Sequence, residues 1–256
     1  MDDDFDGGWD NRVTLVDGRW VHRTPRFPDR EAQLRRESAL LPWLGSRLPL
    51  PVPLLEVVAE DPFTVRHAYL PGGPCPGSSA AQGEAVGAFL RALHAIDPDA
   101  AVSHGALAAD AAHADLVATV HRMSRMVLPL LPGRLTRAAT ALLERVTAPP
   151  VQPCLSHGDL GPDHIRVLGE QVTGIIDWGD CAVRDPAIDL AWTVSGAGAR
   201  FADAVVTAYG ADDAVRRRGL DLHLLGPWHE VLYGLDTAQD ELVASGLTGV
   251  VTRLDR

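Results

Sequence analysis

The stretch Leu155-Ser156-His157-Gly158-Asp159-Leu160-Gly161-Pro162-Asp163-His164, continued by Gly174-Ile175-Ile176-Asp177-Trp178-Gly179-Asp180, decides how this chain reads. It sets two carboxylates, Asp159 and Asp177, eighteen positions apart. The first falls in a turn-rich loop; the second closes a short apolar strand. Between them Ile165-Arg166-Val167-Leu168 and Gln171-Val172-Thr173-Gly174-Ile175-Ile176 read as two strands joined at Gly169-Glu170, a hairpin pattern. A hairpin of that length returns both loop ends to one edge. One carboxylate can then orient and deprotonate a hydroxyl while the other holds a metal on a nucleotide, the division of labour that phosphoryl transfer requires.

Working outward, the 256 residues suffice for one large domain or two lobes with an ample core. No apolar run approaches the ~20 residues of a membrane span. The acidic start Met1-Asp2-Asp3-Asp4-Phe5-Asp6 has neither the basic residues nor the apolar stretch of a signal peptide. Cys75, Cys154 and Cys181 form neither a disulfide framework nor a zinc spacing, which suits a reducing, cytoplasmic setting. The net charge of −11 argues against a nucleic-acid partner and favours a cationic small molecule, unless it serves solubility alone. The chain contains no lysine: all 23 basic residues are arginine.

Asn11 to Val16 and Arg19 to Arg23 flank Asp17-Gly18, a two-residue hairpin signal. Glu31 to Leu44 reads as a helix, with Pro42 a threat to its last turn. After Pro49, Pro51 and Pro53, Leu54 to Ala59 and Phe63 to Tyr69 read as strands around Asp61-Pro62. Pro71-Gly72-Gly73-Pro74 is dense punctuation, and the lobe boundary is placed there, giving 1–70 and 71–256. Beyond it lie the helical stripes Val86, Phe89, Leu90, Leu93, Ile96 and Leu135, Ala138, Ala139, Leu142, Leu143, Val146, the second ended by Pro149-Pro150. Helices are expected again from about Ala187 to the end.

The run His-Gly-Asp, then Ile-Asp-Trp-Gly-Asp, then Asp185-Pro186-Ala187-Ile188-Asp189-Leu190 resembles the aminoglycoside phosphotransferases. Within that superfamily it is most similar to the aminoglycoside 2″-phosphotransferase and macrolide 2′-phosphotransferase branches. The likeness extends more weakly to both ends of the chain. It implies an α+β, protein-kinase-like fold of two lobes: an N-lobe antiparallel sheet with one helix, which binds the nucleotide, and a mainly helical C-lobe with the catalytic loop and acceptor site. The order of strands, hinge and helices agrees with that plan. Family members usually carry more residues before this point, so a short or missing first strand is expected.

The resemblance makes Asp159 the catalytic base and Asp177 a ligand for Mg2+, which wants hard oxygen donors. The rival reading of each is a carboxylate that only caps a turn or strand end. His164 stands where many phosphotransferases have Asn, and the two named branches have His. Neutral imidazole suits Mg2+ poorly, so it ligates weakly or through water, bonds a phosphate, or only packs the loop. His157 is expected to support the catalytic loop, and Asp189 to anchor loop backbone from a helix start. His94 reads as a satisfied core histidine. His229-Glu230-Val231-Leu232-Tyr233 lacks the second His of a zinc-protease motif.

In the N-lobe, Gly7-Gly8-Trp9-Asp10-Asn11 resembles the family segment that covers the phosphates, which makes Gly8 and Asn11 nucleotide-binding candidates. Arg23 occupies the place of the clamping lysine and would pair with Glu37; otherwise it is a surface arginine on an edge strand. Nucleobase recognition falls to backbone near His67 to Leu70, with Tyr69 and Leu70 as candidates. The resemblance places the acceptor in the C-lobe, where Asp180, Glu230, Asp236 and Glu241 supply acids for a cationic substrate. The donor is ATP or GTP. The acceptor is an aminoglycoside-like antibiotic, with a macrolide or a small metabolite behind it; a non-catalytic nucleotide-binding pseudokinase is the rival class. No nucleic acid or membrane partner is expected, and the enzyme would act as a monomer or homodimer.

Overall fold

The computed structural model describes residues 3–5, 10–150 and 152–255. The strands β1 (Asp3–Phe5), β2 (Asn11–Val16) and β3 (Trp20–Pro25) open the chain. Asp17 and Gly18 both take positive φ, 53° and 62°, as a type I′ turn demands, and the Arg19 amide closes the turn on the Val16 carbonyl at 3.0 Å. Arg19 therefore belongs to the turn, while pairing continues past Arg23 to Asn11↔Pro25. Helix α1 (Pro28–Gly45) follows, then β4 (Glu56–Glu60) and β5 (Phe63–Ala68). Together the strands form an antiparallel sheet in the order β1-β2-β3-β5-β4.

Helix α1 runs through Pro42 and past the expected end. An interior proline costs about 3 kcal/mol. Leu34, Leu41 and Leu44 are wholly buried and Leu40 nearly so; each such side chain contributes about 1.5–3 kcal/mol, so the packing wins. β4 starts two residues later than expected. Pro53 has no amide to offer a ladder, and Leu55 turns into the core instead. At the far end Tyr69 still bonds Arg19 carbonyl at 2.8 Å, but Pro71 stops the ladder and β5 ends at Ala68.

The helical part begins with the short β6 (Gly73–Pro74) and α2 (Ala80–His94), capped by the Ser79 hydroxyl on the Gln82 amide. Of the expected stripe, Val86, Phe89, Leu90 and Leu93 are wholly buried, while Ile96 falls beyond the helix end at His94 and is half-buried. Then come α3 (Pro98–Ser103), α4 (Ala109–Met126), α5 (Thr136–Val146), β7 (Cys154–Ser156), β8 (Ile165–Leu168), β9 (Gln171–Ile175) and β10 (Ala182–Arg184). The helices α6 (Ala187–Ser195), α7 (Ala199–Tyr209), α8 (Asp213–Asp236) and α9 (Asp240–Leu254) complete the chain. Helix α2 packs on α7, and α8 packs on both α6 and α9.

One buried cluster joins α1, β5, α2, the β8–β9 hairpin and α7; it runs without a break across residue 70. A second gathers α4, α5, α8 and α9 around Trp228. Two pairings position the site. β8 and β9 form the expected hairpin, with Ile165 opposite Ile175. β10 returns antiparallel to β7, with Ala182 opposite Ser156, so the loop after β7 and the loop before β10 leave the same edge. No helix among the described residues is long and apolar enough to cross a membrane.

Candidate active site

Asp159 sits in the loop between β7 and β8, and Asp177 in the loop after β9. Ile176 leaves the β9 ladder because its amide donates to the His164 carbonyl at 2.9 Å, which bends the chain toward the first loop. Asp177 then takes a left-handed φ of 62°, a conformation an Asp tolerates better than most residues but which still costs energy. It is held there by its neighbour: Trp178 is buried, its indole N–H donates to the Ile175 carbonyl at 3.0 Å, and its ring packs edge-on to Phe89 of α2.

His157 ties the two loops together. Its Nε2–H donates to the Ile176 carbonyl at 2.9 Å, and its Nδ1 accepts the Asp159 amide at 3.3 Å. A ring that donates once and accepts once is neutral, and burial pushes its pKa down in agreement. His157 therefore supports the loop and is not placed to act as an acid. Gly158, at φ 93°, lies against the Asp180 carbonyl oxygen so closely that no Cβ fits.

Asp189, wholly buried in the first turn of α6, accepts the His157 and Gly158 amides at 2.9 Å each. His94 Nε2 lies 3.0 Å from the same carboxylate, and Nδ1 is 2.8 Å from the Tyr209 hydroxyl. Burial alone would lower the His94 pKa; the hydrogen bond and charge of Asp189, helped by Cys154, outweigh it and hold the imidazole protonated well above 6.5. Asp189 in turn sits below the usual carboxylate range: burial opposes this, but His94, with smaller help from the His157 ring and the Gly158 amide, prevails.

His164 stands between the two carboxylates. Its Nδ1–H donates to the Asp159 carbonyl at 2.6 Å, leaving Nδ1 3.5 Å from Asp159 Oδ2 and Nε2 3.4 Å from Asp177 Oδ2. Asp159 and Asp177 side chains are 61% and 55% exposed, so both reach solvent. Although its tip is open, the protein mass around Asp159 pushes its pKa up; Asp180 and Asp177 add to this, and His164 and His157 pull the other way.

Above these loops, Arg23 of β3 forms a two-pronged bond to Glu37 of α1, 2.7 Å and 3.2 Å, with both residues buried. Burial works against the Arg23 charge; Glu37 more than restores it, with smaller help from Asp177 and Asp10. The surface-arginine reading fails on this geometry. Gly179, two residues after Asp177, abuts Gln33 and faces Glu37, so α1 rests on the Asp177 loop. Asn11 is buried, and its Oδ1 has no partner among the described residues. Gly8 lies outside the described residues. Tyr69 is partly exposed, and Leu70 packs against Gly174 of β9.

The expected acceptor acids separate into two groups. Asp180 is brought beside Asp159, whose pKa it raises. Glu230 lies half-buried on α8. Asp236 is engaged by Arg122 of α4 at 2.6 Å and 2.8 Å, and Glu241 stands exposed in the first turn of α9. Among the described residues no hydrogen bond or ion pair ties either to the catalytic loops. Sequence analysis set aside a zinc-protease motif at His229 and gave that residue no other role; its imidazole lies in the field of Asp180 and Asp159, where surrounding protein lowers its pKa and the two carboxylates partly restore it. A histidine next to Glu230 and about two turns before Asp236 was the only signal available.

A sheet with a buried cation–carboxylate pair, resting on a helical body that presents two linked carboxylates, defines a phosphotransferase of the kinase-like class. The profile of the phosphotransferase enzyme family (APH) matches residues 4–220, and the chain belongs to that family. Among solved structures it is similar to the GDP and kanamycin complex of APH(2″)-IIIa, at 24% identity over 99% of this chain and 92% of that one, with a TM-score of 0.86. It is similar also to the apoenzyme of macrolide 2′-phosphotransferase MphH from Brachybacterium faecium, at 24% identity over 98% and 91%, TM-score 0.78. A third is macrolide 2′-phosphotransferase type I, at 25% identity over 97% and 90%, TM-score 0.78. No curated protein matches the chain in sequence.

Proposed function

We propose that this enzyme moves the γ-phosphoryl of ATP or GTP to a hydroxyl of an aminoglycoside-like antibiotic, with Mg2+. The observation that carries the reading is the pair of solvent-reaching carboxylates, Asp159 and Asp177, bracketed by one imidazole. The nucleotide lies between residues 1–70 and 71–256, its phosphates near Arg23 and Asp177.

Asp177 supplies the hard oxygen that Mg2+ wants, and His164 is the weaker partner beside it. His164 directs Nδ1 at the Asp159 carbonyl, so Nε2 is the ring atom turned toward the Asp177 carboxylate, 3.4 Å from its Oδ2, and the two side chains converge. The described residues hold no cluster of three or more ligating side chains; Mg2+ is commonly bound by one or two protein groups, with phosphates and water completing its shell. Asp177 and His164 would hold it, and when bound it would neutralise charge on the β- and γ-phosphates.

The chain's own groups do the rest. Asp159 accepts the acceptor hydroxyl proton as the new O–P bond forms and the bond from phosphorus to the nucleoside diphosphate breaks. The raised pKa of Asp159 makes it a better base than an ordinary aspartate. His157 and Asp189 fix its loop so that the carboxylate does not wander. Arg23, held flat by Glu37, presents a fixed positive charge to the phosphates.

The −11 charge and the acids Asp180 and Glu230 support a polycationic sugar as acceptor. Because Asp236 is already engaged by Arg122, the acid supply is smaller than the sequence suggests, which keeps a macrolide as the second reading. We place the enzyme in the cytoplasm, acting on a free small molecule. A panel of aminoglycosides, macrolides and amino sugars incubated with ATP or GTP and Mg2+, read by the mass gain of one phosphate, tests the reading. Phosphorylation of an aminoglycoside supports it; macrolides alone select the second reading. Nucleotide binding without transfer or Mg2+-dependent hydrolysis leaves a pseudokinase.

A further inference from the structure

Two glycines bring the end of α7 to the end of α2. Gly83 and Gly87 lie one turn apart on the same face of α2. A Cβ on Gly83 would fall on the Phe201 carbonyl oxygen, and one on Gly87 would fall 2.7 Å from that of Val205. Neither site accepts a side chain without a backbone shift, so the α7 backbone lies directly on the α2 surface. Each step of four residues along α2 is met by a step of four along α7, so the two helices run side by side in the same direction. The next step sets Tyr209, the last residue of α7, against the turn that carries Arg91 and His94. Gly210 then takes φ 84° and its amide closes on the Val206 carbonyl at 2.9 Å, which ends the helix at that register.

There Tyr209 meets His94. The two rings stand edge to face, 5.3 Å apart at an angle of 86°, and the Tyr209 hydroxyl lies 2.8 Å from His94 Nδ1. The other ring nitrogen, Nε2, faces the Asp189 carboxylate at 3.0 Å; that group only accepts, so Nε2 carries a hydrogen. The ring is held protonated, so Nδ1 carries one too and donates it to the Tyr209 oxygen. An imidazole held at one nitrogen can pivot about its Cβ–Cγ bond; held at both it cannot. Asp189 is gripped by that ring and itself accepts the His157 and Gly158 amides at 2.9 Å each. Asp159 is the next residue. A line of direct hydrogen bonds thus runs from α7 to the loop of the base, and its outer end is Tyr209. His94 and Tyr209 also line a cavity of about 290 Å3 that opens to solvent. Water entering there can satisfy Nδ1 but, unlike a side chain on α7, has no fixed place from which to hold the ring.

We propose that Tyr209 is a positioning residue for the transfer reaction: its hydroxyl, acting through His94 and Asp189, fixes the loop that carries Asp159. The inference rests on Asp159 being the base, and it adds a residue fifty positions further along the chain on which the aim of that base depends. The hydroxyl stands two side chains removed from the loop. Its loss therefore leaves ground-state binding alone and appears in the step for which the base must be aimed. A hydrogen bond of this kind is worth about tenfold.

Steady-state transfer to the best acceptor of the panel tests it in Tyr209→Phe, which keeps the ring and removes only the oxygen. kcat is expected to fall about tenfold while the KM values for nucleotide and acceptor hold. Amide hydrogen exchange of the free enzyme, read by mass spectrometry over residues 155–159, is expected to quicken in the same variant. Tyr209→Ala should lose at least as much, and p-cresol, the missing side chain, should restore it through the cavity where toluene does not. An unchanged kcat or unchanged exchange in Tyr209→Phe, or a loss carried in KM alone, overturns the assignment. Equal rescue by toluene does so too, because it makes the packing of the ring the cause. If Tyr209→Ala fails to fold, the Tyr209→Phe comparison decides alone. Asp159→Asn run beside it separates the two readings. Full transfer in that variant removes the base, and this inference with it; a dead Asp159→Asn with a normal Tyr209→Phe overturns the present inference only.

Discussion

Gly158→Ala should damage catalysis more than its size suggests. At φ 93° an L-residue is strained, and even the nearer left-handed basin costs about 1–2 kcal/mol. The added Cβ would also fall well inside 3.0 Å of the Asp180 carbonyl oxygen, with Asp180 C and Cβ at 3.1 Å. That neighbour is backbone and cannot swing aside as a side-chain tip would. Either the Asp159 loop or the Asp177–Asp180 turn must shift by some tenths of an ångström. A displacement near 1 Å can cost ~10²-fold in rate, so a fall in kcat of roughly 10–10²-fold is expected. Together strain and crowding should lower stability by about 1–3 kcal/mol, or ~2–12 °C in Tm for a chain of this length. The control is Gly161→Ala in the same loop: Gly161 has φ −107° and open space where a Cβ would go. Steady-state transfer to the best acceptor and a thermal melt read both. If Gly158→Ala matches Gly161→Ala in kcat and Tm, the contact does not hold the loops in register and the reasoning fails.

Asp159→Asn should lose about 10²–10⁴-fold in transfer while nucleotide affinity stays within a few-fold; a loss below about tenfold would argue against a base there. Asp177→Ala should abolish the Mg2+ dependence of nucleotide binding and His164→Ala should only weaken it, measured by titrating Mg2+ against nucleotide affinity; an unchanged dependence in Asp177→Ala speaks against the metal role. Removing Arg23 or Glu37 strands a buried charge, so Arg23→Ala and Glu37→Ala should each cost more than half of what the double variant costs in nucleotide KM, and strict additivity would deny the pairing. For pH, His94 is held protonated above 6.5, so its contribution to stability is full below that value and is lost as pH rises through the raised one. Wild-type Tm should therefore sag on the alkaline side of neutral, and His94→Phe should start lower and lack that sag; a variant that keeps the slope assigns it elsewhere. Asp189 has the opposite sign: its share is full above 3.8 and fades as acid carries the pH through its depressed pKa.

What the sequence made legible was local. The β8–β9 hairpin, the Asp17-Gly18 turn and the α2 stripe each follow from neighbouring residues, and the structure forms all three. The Arg23–Glu37 bond was foreseeable only because the family resemblance supplied the partner fourteen residues away. Bonds made by packing left no such trace. His94 meets Asp189 across 95 positions, and Arg122 meets Asp236 across 114. Both depend on how α2 settles on the catalytic loop and how α4 settles on α8, which no local period encodes. Asp236 therefore looked like a free acid until its partner was visible.

The absence of lysine from the chain bears on covalent inhibition. Reagents that capture a cleft lysine find no side-chain amine anywhere in this chain. Arg23 keeps its proton and is engaged from both sides of its fork by Glu37, so it offers no nucleophile in exchange. Cys75, Cys154 and Cys181 are free but buried, and burial drives the Cys181 thiol far above its usual range, which leaves it little thiolate to react. An irreversible ligand for this cleft has two exposed carboxylates to aim at, Asp159 and Asp177. By the same logic, acylating reagents used to tag or immobilise proteins through lysine will leave the Arg23–Glu37 pair untouched.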